Sequence, residues 1–159
     1  MSADEPSKDA ADVRVLPPVV FVAVLAIVIV LQALVPISAP LPAAPFRLAG
    51  LIAAALGLAV AAPAVAAFLT RGEQLPPDTP TKAIVETGPY RFTRNPMYLG
   101  MALLLLAFFF WTRTAWAGVG VVVFVWIIHT QVILKEEAYL KAKFGAAYED
   151  YLSRVRRWI

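Results

Sequence analysis

Four apolar runs set the layout of the chain, at residues 19–35, 48–69, 97–111 and 115–134. Their length and uniform apolarity predict helices that cross a hydrocarbon core of roughly 30 Å. Pro17 and Pro18 stand at the start of the first run, whose one polar residue is Gln32. Pro36, Pro40, Pro42 and Pro45 make a short, stiff connection to the second. That second run is crowded with small residues, among them Gly50, Ala53, Gly57, Ala61 and Ala66, which let helix backbones approach closely in lipid. Pro63 within it predicts a kink. Only Thr112, Arg113 and Thr114 separate the third run from the fourth. This predicts a tight antiparallel helical hairpin, because one helix through Arg113 would be too long for a bilayer and would bury a charge.

The polar segments complete the pattern. Residues 1–15 are short and mixed in charge and predict a flexible tail. Residues 75–80 hold three prolines and exclude a regular helix, whereas residues 82–85 suit an extended segment. Nothing interrupts the fourth run until Gly145, so its helix should continue beyond the membrane and end with that glycine as a C′ cap. Tyr148, Tyr151, Leu152 and Val155 then recur at helical spacing, predicting a further amphipathic helix. The expectation is an all-α integral membrane protein of about four transmembrane helices with C-terminal amphipathic helices, residues 16–159 forming one domain.

Composition narrows the chemistry. Of 159 residues, 60% are hydrophobic and 16% charged, and the mean hydropathy is +0.72; a soluble domain carries roughly 25% charged residues. Cysteine is absent, which excludes a disulfide, a thiolate nucleophile and a zinc–thiolate site. One histidine and no cluster of His, Asp and Glu argue against a catalytic metal. The net charge of +3 comes from segments flanking the apolar runs and points to anionic lipid, with no nucleic-acid partner. With four spans, Lys8, Arg14, Arg71, Lys82, Arg91, Arg94, Lys135, Lys141, Lys143, Arg154, Arg156 and Arg157 share one side, and Arg47 and Arg113 the other. The excess of basic residues assigns the first side, with both termini, to the cytoplasm of a bacterial-type inner membrane. A signal peptide fits the first run poorly, since acidic residues precede it and Pro40 follows the small pair Ser38-Ala39.

One polar stretch, residues 86–100, is too rich in specific chemistry for a plain loop. Gly88-Pro89 signals a turn, and Asn95-Pro96 reads as an N-cap followed by proline at the first helical position. A helix N-terminus attracts anions, and Arg91, Arg94, Tyr90 and Tyr98 lie within a few residues of it. The hairpin returns Glu136 and Glu137 to the same mouth. Together these groups suit a zwitterion with a flat ring: an arginine or the helix end for a carboxylate, a glutamate for an ammonium or ribose hydroxyls, an aromatic face for the ring. Adjacent helical residues diverge by about 100°, so one glutamate faces the cavity, and Glu136 is favoured. His129, seven residues or roughly two turns earlier, lies on the same face. Each feature has a plainer reading. The loop arginines suit lipid headgroups, the glutamates suit a solvated helix end with Lys141, and His129, Gly118 and Gly120 suit packing. The run Phe108-Phe109-Phe110-Trp111 suits an interfacial belt.

The sequence Gly88-Pro89-Tyr90-Arg91-Phe92-Thr93-Arg94-Asn95-Pro96-Met97-Tyr98-Leu99-Gly100 is followed, two apolar runs later, by Glu136-Glu137-Ala138-Tyr139-Leu140 and Phe144-Gly145-Ala146-Ala147-Tyr148-Glu149-Asp150-Tyr151. These blocks, spanning residues 82–159, resemble the isoprenylcysteine carboxyl methyltransferase family, whose wider relatives include phospholipid N-methyltransferases. The resemblance implies an integral membrane methyltransferase that uses S-adenosylmethionine, needs no metal and draws a lipophilic or lipid-linked substrate from the bilayer. Carried over by position, it implies cofactor contacts at Lys82, Ala83, Ile84, Val85, Tyr90, Asn95, Pro96, Met97, Tyr98 and Glu136, with Glu136 and Arg94 as catalytic candidates. Two positions depart from the family: Asn95 stands where histidine is frequent, and Val132 stands where eukaryotic members place a substrate-linked arginine. The competing classes are a phospholipid-type N-methyltransferase, a membrane reductase of related architecture and a non-catalytic membrane scaffold.

Overall fold

The computed structural model describes residues 10–70 and 80–159. The expectations for residues 1–9 of the tail and for residues 75–79 of the proline-rich stretch lie outside the described residues. Among the described residues the chain is all-helical, with two isolated β-bridges, Ser38 to Thr114 and Thr93 to Arg156. Helix α1 is Pro17–Leu34, α2 is Ala43–Leu69 and α3 is Pro96–Thr112. Helix α4, Ala115–Ile127, runs through a π-helical segment, Ile128–Ile133, into α5, Leu134–Phe144, and α6 is Ala146–Arg154. Proline begins α1 and α3, where its missing N–H removes no intrahelical bond. Pro63 lies inside α2 without ending it.

The hairpin forms where expected. Arg113 takes the left-handed conformation (φ 55°) and its N–H donates to the Phe109 carbonyl at 2.7 Å, which closes α3 and reverses the chain. Beyond it, residues 115–144 form one rod of 30 residues, and Gly145, at φ 52°, breaks that rod from α6. A glycine is required at such a break because a side chain there would be strained.

Small residues bring the helices together. A Cβ placed on Gly100 would lie 2.6 Å from Ala61 Cβ and 2.8 Å from the Gly57 carbonyl oxygen, so α2 and α3 touch backbone to backbone. Helix α1 meets α4 by setting a side chain against a glycine: a Cβ on Gly120 would lie 2.8 Å from Val28 Cγ2. Phe124, Ile128, Val132 and Ile133 are wholly buried at the centre, packed with Val24, Val28, Tyr98 and Leu105. Outward-facing Val19, Val22, Leu51, Leu58, Val122 and Trp126 remain exposed, the surface a lipid solvent requires.

Helices α1, α2 and the 115–144 rod are long and apolar enough to cross a membrane. Helix α3 is equally apolar but has 17 residues. Its helical length is therefore about 25 Å. At the hairpin-turn end, Thr114 Oγ1 donates to Gln32 Oε1, Arg113 Nη1 to the Leu41 carbonyl at 3.0 Å and Trp116 Nε1 to the Val35 carbonyl at 2.8 Å. Gln32, the one polar residue of the first apolar run, is thus spent on sealing that end. The tail expected through Val15 is ordered earlier: Ala11 and Val13 are buried in the core cluster.

The glycine contacts generate a stability prediction. Gly100→Ala forces α2 and α3 apart and costs about 1–3 kcal/mol by overpacking. At Gly118 an added Cβ would lie 3.4 Å from the Phe109 ring, an ordinary contact. Gly118→Ala is therefore neutral or gains up to about 1 kcal/mol of helix propensity. Thermal unfolding in detergent separates the two, and an unchanged Tm for Gly100→Ala contradicts the backbone contact.

Candidate functional site

The hairpin places the first turn of α3 beside the first turn of α5, at the end opposite Arg113. A 3-10 turn, Gly88–Arg91, approaches that meeting point, with Gly88 at φ 58°. Tyr90, buried within it, packs against Ala64 and Val85 and stacks on Phe68 with ring centroids 6.3 Å apart. Helix α6 buries Tyr148, Tyr151 and the following Val155 against Ile84, Leu140 and Phe144. Tyr151 Oη donates to the Tyr90 carbonyl at 2.8 Å, tying α6 to the turn.

A cleft of about 120 Å³, open to solvent at its mouth, lies between these pieces. Ala83, Ile84, Val85, Tyr90, Arg94, Asn95, Pro96, Met97, Tyr98 and Glu136 all line it. Lys82 is exposed and does not line it. The lining also includes Ala11, Phe68, Thr81, Glu137, Tyr139, Leu140, Tyr148 and Tyr151. Tyr148 and Tyr151 carried a signal, the helical spacing of α6. Ala11 and Phe68 carried none, because nothing local says that a preceding segment and the end of α2 reach the same cavity.

The two glutamates divide as helical geometry requires. Glu136 accepts a hydrogen bond from Tyr98 Oη at 2.8 Å. Glu137 is gripped by two arginines: Arg157 donates to both its oxygens, at 2.8 and 2.7 Å, and Arg94 Nη2 lies 3.1 Å away. The Arg94 and Glu137 side chains are only 11% and 16% exposed. Lys141, the plain candidate partner for the acidic pair, is paired with Glu149 instead, at 2.9 Å.

Asn95 occupies the N-cap position of α3 but makes no side-chain cap. Its Nδ2 donates to the Arg157 carbonyl at 2.9 Å, and Thr93 Oγ1 donates to that carbonyl at 3.1 Å. The Asn95 side chain therefore leaves the first amides of α3 uncapped. The basic–aromatic C-terminus, expected at a membrane interface, is docked: Trp158 packs on the core cluster and Arg94 N–H donates to the Arg156 carbonyl at 2.9 Å. His129 does not line the cleft. It lies in the π segment, which breaks the straight α register between it and Glu136.

Among the described residues three buried donors lack a partner: Arg113 Nε at the hairpin turn and two at the cleft. Tyr90 Oη and Arg94 Nε are buried without a hydrogen-bond partner. A buried unsatisfied donor costs roughly 1–3 kcal/mol, and these two both belong to residues that line the cleft. Desolvation pushes the Tyr90, Tyr148 and Tyr151 phenols up from their ordinary range, so they stay protonated and able to donate. Among the described residues, no three His, Asp or Glu side chains gather to hold a metal ion.

A family model described as phospholipid methyltransferase matches residues 46–147, starting in α2 and ending in α6. A Haemophilus influenzae protein described as an uncharacterized protein is 43% identical over 63 residues, which are 40% of this chain and 100% of that protein. No solved structure matches.

Phenols raised in the folded state contribute stability below the unfolded value of 10.0, and that contribution is lost as pH rises through their folded values. At pH 10.0, where a free phenol is half ionised, these three of the five tyrosines remain protonated while the protein is folded. Ultraviolet titration of tyrosinate, with and without denaturant, checks this. Half-ionisation of all five in the folded protein at that pH contradicts the buried cleft wall.

Proposed function

The chain belongs to the phospholipid methyltransferase family, relatives of the isoprenylcysteine carboxyl methyltransferases, and we propose that it transfers a methyl group from S-adenosylmethionine to a lipophilic or lipid-linked acceptor. The observation that carries this reading is the pair of orphaned donors, Tyr90 Oη and Arg94 Nε, in the cleft that also holds the Glu136 carboxylate. The donor set fits the cofactor. Tyr90 and Arg94 would hold its carboxylate, Glu136 its ammonium or ribose hydroxyls, and the rings of Phe68, Tyr90 and Tyr148 its adenine. Ala83, Ile84 and Val85 and the first turn of α3 would complete the binding wall, with Lys82 beside it.

When bound, S-adenosylmethionine supplies a methyl group already activated by the sulfonium. The chain's own task is alignment and exclusion of water. Tyr98 fixes the Glu136 carboxylate on the cleft side of α5. An acceptor carboxylate needs no base; an acceptor amine must shed a proton, and Glu136 is the cleft carboxylate not occupied by arginine. The carboxylate-type acceptor of isoprenylcysteine enzymes is one substrate reading. The phospholipid-type amine is the second, and a specific observation favours it: Val132, where eukaryotic relatives place a substrate-linked arginine, is wholly buried in the apolar core.

In this reading α3 also spans the bilayer, making four spans, and the cleft opens at the cytoplasmic face of an inner membrane where both termini lie. The acceptor arrives from the lipid phase between the helices.

Titration of the purified protein in detergent with S-adenosylmethionine and, separately, with a nicotinamide cofactor tests the assignment. Binding of the first alone is expected; binding of the second alone supports a reductase, and binding of neither a scaffold. Glu136→Gln removes a charged hydrogen-bonding partner worth about 1.5–3 kcal/mol, a loss of roughly tenfold or more in affinity. Unchanged affinity in that variant removes Glu136 from the site. Incubation of membranes with labelled S-adenosylmethionine then identifies the acceptor by its methylated product.

A further inference from the structure

Arg157 lies ten residues beyond the end of the family match and does not line the cleft. Yet it touches both elements that do. Its guanidinium grips both oxygens of Glu137, the residue next to Glu136 on α5. Its carbonyl accepts from Thr93 Oγ1 and Asn95 Nδ2, on the loop that launches α3. Glu137 in turn holds Arg94. One residue therefore closes a ring through α5, Glu137, Arg94 and the loop back to itself.

We propose that Arg157 is a positioning residue for the cofactor cleft, clamping α5 to the start of α3 through Glu137 and Arg94. The inference rests on the proposed function, because it concerns the same cleft. The geometry gives the clamp two effects. Holding Glu137 fixes the rotation of α5, and since its neighbour points about 100° away, it aims Glu136 at Tyr98. Drawing Arg94 Nη2 toward Glu137 fixes the guanidinium and leaves Nε as the unpartnered donor beside the cleft. Without Arg157, Glu137 keeps one arginine, and Thr93 and Asn95 keep a carbonyl whose residue is no longer anchored. The Arg157 side chain is 35% exposed against 16% for Glu137, so the clamp is reached from outside while its far end is enclosed. A bidentate fork of this kind is specific to arginine: lysine offers one point charge in its place.

The test uses the full chain in detergent and measures S-adenosylmethionine affinity and Tm for the wild type, Arg157→Ala, Arg157→Lys, Glu137→Gln and Gly100→Ala. Arg157→Ala is expected to weaken binding by roughly tenfold to a hundredfold, the scale of a small misplacement of binding groups. Arg157→Lys should fall between it and the wild type. Glu137→Gln should weaken binding similarly, and the double variant with Arg157→Ala should be no worse than either alone. Added guanidinium ion should restore part of the Arg157→Ala affinity and leave the wild type unchanged. Should Arg157→Ala fail to fold, the lysine and glutamine variants carry the comparison. Wild-type affinity in the Arg157 variants overturns the clamp, as does a loss no greater than that of Gly100→Ala at equal loss of Tm. A wild type that binds no S-adenosylmethionine overturns the parent reading and the clamp with it; a wild type that binds beside unaffected variants overturns the clamp alone.

Discussion

The hydrogen bond from Tyr98 to Glu136 spans 38 residues of sequence and 2.8 Å of space. It exists because the Arg113 turn folds one apolar helix back along another, so that the beginning of α3 and the beginning of α5 share a level. No cleft forms at that level without this return. The turn itself is anchored far from the site by Gln32, Thr114, Leu41 and Trp116, so the accuracy of the site depends on contacts at the other end of the rods. Rigid helices transmit that accuracy, and the backbone contact between Gly57 and Gly100 keeps α3 from sliding against α2.

The electrostatics around the cleft are arranged by subtraction. Three charges, on Arg94, Glu137 and Arg157, largely consume one another in a half-enclosed network. Such a network is weak evidence for stability, since desolvation offsets much of its attraction, but it fixes geometry well. What it leaves for a ligand is small and specific: one carboxylate on Glu136, one N–H on Arg94 and one phenol on Tyr90. Desolvation keeps that phenol protonated, so the cleft offers donors on one wall and an acceptor on another. That polarity suits a zwitterion.

Much of this was legible in the sequence, and the reason is the strength of lipid-imposed patterning. Apolar runs, the three-residue break at Thr112–Thr114 and the glycine at 145 each report a single physical constraint, and each is where the structure has it. The cleft was legible wherever chemistry and local order coincide: Tyr90, Asn95, Tyr98 and Glu136 lie in two short blocks. What stayed hidden are contacts set by tertiary closure. Nothing around Ala11 announces that it joins the same core cluster as Tyr98, and nothing around Arg157 announces that the Asn95 amide donates to its carbonyl. His129 was misplaced for a different reason: the π segment inserts an irregularity that straight α counting does not anticipate.

The brevity of α3 has a physical consequence for the surrounding membrane. At 17 residues it falls short of the neighbouring rods of 27 and 30. On the reading that it spans, the bilayer beside it would meet the mismatch by thinning or by snorkelling of the flanking residues, at a fraction of a kcal/mol per ångström. Any such thinning would be centred on the helix whose first turn forms the cleft wall. On the proposed reading, headgroups there would dip toward the cavity, and hydrophobic mismatch would shorten the climb of a lipid's polar end toward Glu136.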